Sequence, residues 1–312
     1  MQQQRSAASR VAVAASLRRA AAAVALARAA CSAPAPWPSA PAAAATPLPR
    51  LLAPTAAAFD AALHGARTPF IVTGALRDWP AARWTPAELA RRFGDVHVPV
   101  ELSRRGADYR HRHHPDPRAR ALFRAGEEMP LAAFVARYME EPPPSDAGEA
   151  AWRGYLAQHA LADRVPELSV EAPPPAYVPP GRGVQRRVWL GPAGCHTPLH
   201  RDLYHNLFCQ VAGRKRFRLY APQQAAALYP FAPPAPDVLR NTSRVDVRLS
   251  DDQAPAPDAA AAARAAAAFP RFASEPYWEA DLAPGEALAM PASTWHAVLA
   301  LDASLSVSYW WT

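Results

Sequence analysis

Apolar positions change character along this chain. Through residue 46 they are mostly alanine, among arginine and serine. From Pro49 onward they fall into short runs separated by turn residues. Phe59–Leu63 and Pro86–Phe93 read as short helices, each opened by a Thr or Asp near its start. Pro69–Thr73 (PFIVT) reads as a buried strand. Val96–Leu102 (VHVPVEL) reads as another, with Pro99 marking an edge because proline cannot donate to a ladder. Leu131–Met139 reads as a helix. Arg104–Pro117, residues 142–149 and Pro173–Gly183 read as loop or linker.

The C-terminal part is strand-rich. Arg186–Leu190, Asn206–Val211, Arg216–Tyr220, Ala287–Met290, Ala297–Leu301 and Leu305–Trp311 are short, β-branched or aromatic, and punctuated by turns, with Gly213 placed as in a hairpin. Many short strands of this kind predict a mainly β sandwich or barrel. Residues 251–268 interrupt the pattern with an Ala-rich stretch expected to be a surface helix or disordered loop. The division expected is a segment at 1–46 and one domain at 47–312.

Composition refines this picture in three ways. Half of the 312 residues are hydrophobic, enough for a sizeable core. Residues 1–46 hold five arginines and no acid, as an organellar transit peptide or a low-complexity tail would; a chloroplast or mitochondrial location follows from the first, nucleus or cytoplasm from the second. Removing those five arginines from the formal charge of +7 leaves +2, so the rest lacks the basic footprint of a nucleic-acid binder. No apolar run is long enough to span a membrane. Cys31, Cys195 and Cys209 form no paired framework.

Ala, Arg and Pro dominate, as in a GC-rich genome, so residue types that this drift disfavours draw attention. One lysine, Lys215, stands among 34 basic residues, and Asn206 is one of two asparagines.

His200-Arg201-Asp202 is the focus. Residues two apart on a strand face the same way, which sets an imidazole beside a carboxylate. His296, after Pro291–Trp295, is the candidate third ligand. Two His and one carboxylate on one face of a metal leave positions open for co-substrate and O2, as non-haem Fe(II) oxygenases require. Lys215 offers a compact cation for the far carboxylate of 2-oxoglutarate; it also reads as a turn lysine snorkelling into water. Asn206, four residues past Asp202 and of the same parity, could donate to that co-substrate or simply end a turn.

A resemblance now extends these residues. Gly154–His159 (GYLAQH), Trp189–Asp202 (WLGPAGCHTPLHRD), Asn206, Gly213–Lys215, Leu219–Pro222 (LYAP), Ala227–Pro230 (ALYP), Asn241–Val247 (NTSRVDV), Pro284–Glu286, Trp295-His296 and Ser306–Trp311 (SVSYWW) resemble the Jumonji-C (JmjC) oxygenases. Within that family they resemble the branch of JmjC domain-containing protein five, also called lysine demethylase eight. The resemblance runs from Pro49 to Thr312. It implies a double-stranded β-helix (jelly-roll, cupin) core with flanking helices, and Fe(II), 2-oxoglutarate and O2 as the chemical partners. By matching position, His200, Asp202 and His296 resemble the iron ligands. Tyr155, Thr197, Asn206 and Lys215 match co-substrate positions, and Gln158 and Trp189 match pocket walls. Glu101 and Trp310 match positions that hold a substrate guanidinium; alternatively they are a solvated edge-strand acid and a core tryptophan.

Three stretches depart from the family: Leu203-Tyr204-His205 after the metal acid, the Ala-rich insert, and RHRHHP at 110–115. His111, His113 and His114 suggest a second metal at first sight, but without an evident partner they read as a mobile basic loop. The resemblance implies a protein or peptide substrate. Three functions stay open: an arginine-side-chain hydroxylase, a histone lysine demethylase, and a non-catalytic binding module of JmjC fold.

Overall fold

The computed structural model describes residues 45–104, 107–140, 152–181, 183–247 and 259–312. Most of segment 1–46, the linker at 142–149 and the start of the Ala-rich insert, 251–258, lie outside them.

Strands dominate: β1 (Ala45–Pro47), β2 (Arg50–Leu52), β3 (Phe70–Thr73), β4 (His97–Arg104), β5 (Phe123–Pro130), β6 (Trp152–His159), β7 (Gln185–Gly191), β8 (His196–Arg201), β9 (His205–Ala212), β10 (Lys215–Tyr220), β11 (Tyr277–Leu282), β12 (Ala287–Met290), β13 (Trp295–Ala300) and β14 (Ser304–Trp311). They form a five-stranded sheet, β1-β11-β10-β13-β8, and a nine-stranded sheet, β2-β3-β12-β9-β14-β7-β6-β4-β5. Phe208, Leu288 and Met290 of the large sheet pack with Phe217, Leu282 and Val298 of the small one, so the two sheets face each other across a shared core. This is the mainly β, cupin-like architecture expected.

Strand alternation decides what each face meets. In β14, Leu305, Val307, Tyr309 and Trp311 join the helix-covered cluster outside the large sheet, so Ser306, Ser308 and Trp310 turn inward. In β9 the odd residues Leu207, Cys209 and Val211 go outward in the same way. Shifting either strand by one residue would exchange the two sets. The helix Pro86–Phe93 belongs to the outer layer. It is capped by Thr85, whose hydroxyl accepts from the Glu88 amide at 3.1 Å, and Pro86 opens it. It buries Leu89 and ties Arg92 to Glu171.

Several expectations need correction. Gly213 is not in a hairpin: β9 and β10 belong to different sheets, and the turn carries the chain across. The turn needs glycine nonetheless, at φ +66° and with the Ala303 carbonyl 2.2 Å from where a Cβ would sit. Pro99 lies within β4, which pairs with β5 along much of its length and with β6 only from Glu101 onward, so its edge is local. Strands β1, β2, β5, β6 and β11 were missed, and two of them show why. β5 (FRAGEEMP) has only Phe123 and Met129 buried, too little alternation to read. β11 is held by charge: Arg216 and Arg218 of β10 sit opposite Asp281 and Glu279 and pair with them at 2.7 and 2.6 Å. The insert ends in a helix, Ala259–Ala268, whose Ala265 packs with Phe269 against the small sheet's outer cluster. No described helix is long and apolar enough to cross a membrane.

Candidate metal centre and its cavity

His200 and His296 come together through sheet register. β8 and β13 are antiparallel neighbours in which His296 pairs directly with His200, so both side chains stand on one face. Their rings lie 4.2 Å apart between centroids. Each Nδ1 donates to a backbone carbonyl, Pro198 at 2.8 Å and Thr294 at 3.1 Å. A carbonyl only accepts, so Nδ1 carries the proton and each Nε2 keeps its lone pair for a metal. Burial pushes the His296 imidazole down to about 4, reinforced by His200 and opposed by Asp202. It is therefore neutral near physiological pH, as ligation requires.

Asp202 follows the last residue of β8, and its carbonyl accepts from the Ser293 amide at 2.7 Å. That bond joins it to the turn that launches β13, where Thr294 closes on the Pro291 carbonyl at 2.7 Å. One donor atom from each of His200, Asp202 and His296 lies within 4.8 Å of the others. His296 Nε2 and Asp202 Oδ2 are 3.9 Å apart, inside the roughly 4.2 Å spanned by two ligands each about 2.1 Å from one ion. Among the described residues this is the one cluster of its kind. The donor set fits iron: two neutral imidazoles, one carboxylate, and an open side toward a cavity.

That cavity measures about 420 Å³, and all eleven side chains singled out from the sequence line it: Glu101, Tyr155, Gln158, Trp189, Thr197, His200, Asp202, Asn206, Lys215, His296 and Trp310. Lys215, at the start of β10, is 1 % exposed, which removes the solvated turn reading. Its ammonium donates to the Tyr155 hydroxyl at 3.3 Å and lies over the Tyr155 and Phe208 rings. Among the described residues no carboxylate is its partner. Burial lowers it to about 8, so it stays largely protonated at neutral pH. A buried cation without an anion is costly unless a ligand supplies one. Tyr155 fits beside it because position 191 is glycine: a Cβ there would lie 2.6 Å from the ring.

Asn206 reaches the cavity by another route than strand parity with Asp202. It is on β9, in the opposite sheet, paired with Trp310 of β14. The two are 4 % and 5 % exposed, and among the described residues neither Asn206 Oδ1 nor Trp310 Nε1 has a partner. Trp189 donates to Ser308 at 2.8 Å and packs on Tyr155 and Trp310. Gln158 sits at the exposed mouth in a left-handed conformation, φ +53°. Glu101 is opposite Tyr155 in register. Burial pushes its carboxyl up to about 7, with Arg112 pulling it down and Asp108 pushing it up. It is no solvated edge acid.

One wall was missed. Asp108, Tyr109, Arg112 and His113 line the cavity, and the RHRHHP stretch falls largely within a short helical turn, Tyr109–His113. Arg110 clamps it, bonding Asp108 and Asp246 at 2.7 Å each, with Asp108 only 3 % exposed. Tyr109 hydrogen-bonds Thr242 at 2.9 Å, and Thr242 bridges the backbone of His200. His111 turns back on Asp108, donating to none of the metal ligands. Tyr204 and Asn241 were also missed as lining residues. An acid at 108 and one at 246 closing on a single arginine leave no local signal.

Two facing β-sheets holding a His–Asp–His cluster at one end of an internal cavity define a facial-triad metal protein of cupin architecture. Comparison with known proteins agrees. Residues 56–312 match the family described as "Cupin-like domain". The chain is 32 % identical over 249 residues to lysine-specific demethylase 8 of Xenopus tropicalis, covering 78 % of this chain and 48 % of that protein. It is 32 % identical over 270 residues to Jumonji C domain-containing protein 5 of Drosophila melanogaster, covering 84 % and 59 %. It is 30 % identical over 251 residues to lysine-specific demethylase JMJ30 of Arabidopsis thaliana, covering 78 % and 50 %. The chain belongs to the cupin-like family of JmjC oxygenases, and it spans about half the length of the curated relatives it matches.

Proposed function

We propose that this chain is an Fe(II)- and 2-oxoglutarate-dependent dioxygenase that hydroxylates an arginine side chain of a protein or peptide. The observation that carries the reading is the pairing of a three-donor metal cluster with a buried, acid-free ammonium in one cavity. His200, Asp202 and His296 would hold the iron, with both imidazoles fixed in the ligating tautomer by backbone carbonyls. Iron with 2-oxoglutarate and O2 supplies the oxidising chemistry when bound. Lys215 would pair with the far carboxylate of the co-substrate, assisted by the hydroxyls of Tyr155 and Thr197, and the Asn206 side-chain NH2 would donate to the same molecule. Trp189, Phe208 and Phe217 exclude water from the inner wall.

The arginine assignment rests on Glu101 and Trp310. A half-buried carboxyl with no cation in ion-pair contact among the described residues, in a cavity with an aromatic plane, suits a planar guanidinium. The second reading, lysine demethylation, is favoured by the printed names of the Xenopus and Arabidopsis relatives. A non-catalytic module is disfavoured by the complete ligand set. The test is mass spectrometry of arginine and methyl-lysine peptides incubated with protein, iron and 2-oxoglutarate. Gain of one oxygen on arginine supports the first reading. Loss of a methyl group with formaldehyde release transfers the assignment to the second.

A further inference from the structure

We propose that Tyr204 is a specificity-determining residue of this cavity, its ring stacked parallel to Trp310 as an aromatic platform that selects a planar guanidinium over a tetrahedral alkylammonium. The proposal deepens the arginine reading and rests on it.

Tyr204 lines the cavity. It belongs to the two-residue bend between Asp202 and β9, and both of its flanks are pinned. Asp202 is held through its carbonyl by the Ser293 amide, as described. His205 accepts from the Ala292 amide at 3.2 Å and stacks on Trp311 with centroids 5.8 Å apart. The Tyr204 ring is therefore held at a set place beside the metal acid.

Its ring lies parallel to Trp310, 6° between planes and 6.2 Å between centroids. That spacing decides how a ligand can use the pair. A flat group between two rings needs about 3.5 Å on each side, about 7 Å in all, so nothing can enter between them. The two rings therefore offer the cavity aromatic faces of one orientation, with Trp189 standing across them at 65° to Trp310. A guanidinium laid on such a surface keeps its edge free for a carboxylate, and Glu101 lines the same cavity. A trimethylammonium has no flat face, gains less from one plane, and offers Glu101 no N–H to bind. The Tyr204 hydroxyl has no hydrogen-bond partner among the described residues, so the role falls to the ring face.

The experiment uses the protein loaded with iron and 2-oxoglutarate under anaerobic conditions, so that binding is read without turnover. The probes are N-acetylarginine N-methylamide and N-acetyltrimethyllysine N-methylamide, followed by tryptophan fluorescence. Wild type is expected to bind the arginine probe about tenfold more tightly than the trimethyllysine probe. Tyr204→Leu, which keeps apolar bulk without a flat ring, and Tyr204→Ala should each weaken the arginine probe about fivefold and barely move the other. Tyr204→Phe should keep the preference. An unchanged ratio in Tyr204→Leu overturns the platform. If in that case Glu101→Gln still abolishes arginine binding, the arginine reading survives without it. Equal or reversed affinities in wild type overturn both.

Discussion

The two ends of the cavity are built by different means. At the metal end, His200 and His296 are set by direct register between neighbouring strands, and their tautomers by backbone carbonyls. At the mouth, Glu101, Arg112, Tyr204 and Gln158 come from β4, a short 3-10 turn, a bend and a strained strand residue. The metal end depends on the order and register of these strands. The mouth depends on loops fastened by side chains, and can change while the chemistry stays. A family can thus keep one oxidising centre and present it to different side chains.

The sharpest break of that comparison is at the metal end. His200→Ala or Asp202→Ala removes one of three donors, and succinate release above background is expected to vanish along with stoichiometric iron binding. Anaerobic metal analysis beside a succinate assay checks it. Turnover near that of wild type in either variant would remove the triad assignment.

The next largest effect is expected at the mouth. Arg110→Met leaves Asp108 buried without its guanidinium and deprives Asp246 of the same partner. Removing one member of a buried charge cluster costs about 3–5 kcal/mol, read as a lower midpoint in urea. The sign with pH follows from Asp108. Its carboxyl is held well below the usual carboxylate range despite burial, chiefly by Arg110 and His111. The stability it contributes is present above the unfolded value, about 3.9, and is lost as pH falls through the folded value. The gap between wild type and variant should therefore narrow in acid. Equal midpoints at neutral pH would mean that the wall is held by something other than this clamp.

This difference also explains what could be read in advance. His200 and Asp202 were legible because ligand chemistry asks for an imidazole and an acid two residues apart, although Asp202 lies just past the end of β8 and not on it. Lys215 stood out because a lone lysine among arginines marks a place where arginine does not serve. The facing of Trp310 against Trp311 follows from period two alone. Asn206 was placed in the site for the wrong reason, since parity does not carry through a bend that changes sheets. The 107–114 wall was not legible at all: Arg110 and Asp246 are 136 residues apart, and an ion pair at that separation leaves no trace in local pattern. β5 was lost because its FRAGEEMP run is polar on both faces and is defined by backbone pairing with β4.

The smallest of these effects joins the two ends through Lys215. Its ammonium is a cavity group whose charge changes within reach of ordinary buffers, lowered by burial to about 8. The co-substrate's far carboxylate needs the protonated form. Below that value the free protein is ready to bind; above it, binding must also take up a proton. The apparent KM for 2-oxoglutarate should accordingly rise about tenfold per pH unit once pH is well above the lysine's value, and stay flat well below it. Glu101, pushed to about 7, titrates nearby, so the peptide KM should improve as pH rises through 7 while the co-substrate KM does not. Lys215→Ala supplies the control: a 2-oxoglutarate KM raised by about 2 kcal/mol in binding and without the alkaline rise. An alkaline rise that persists in Lys215→Ala would assign the titration to another group and leave the ammonium without a role in co-substrate binding.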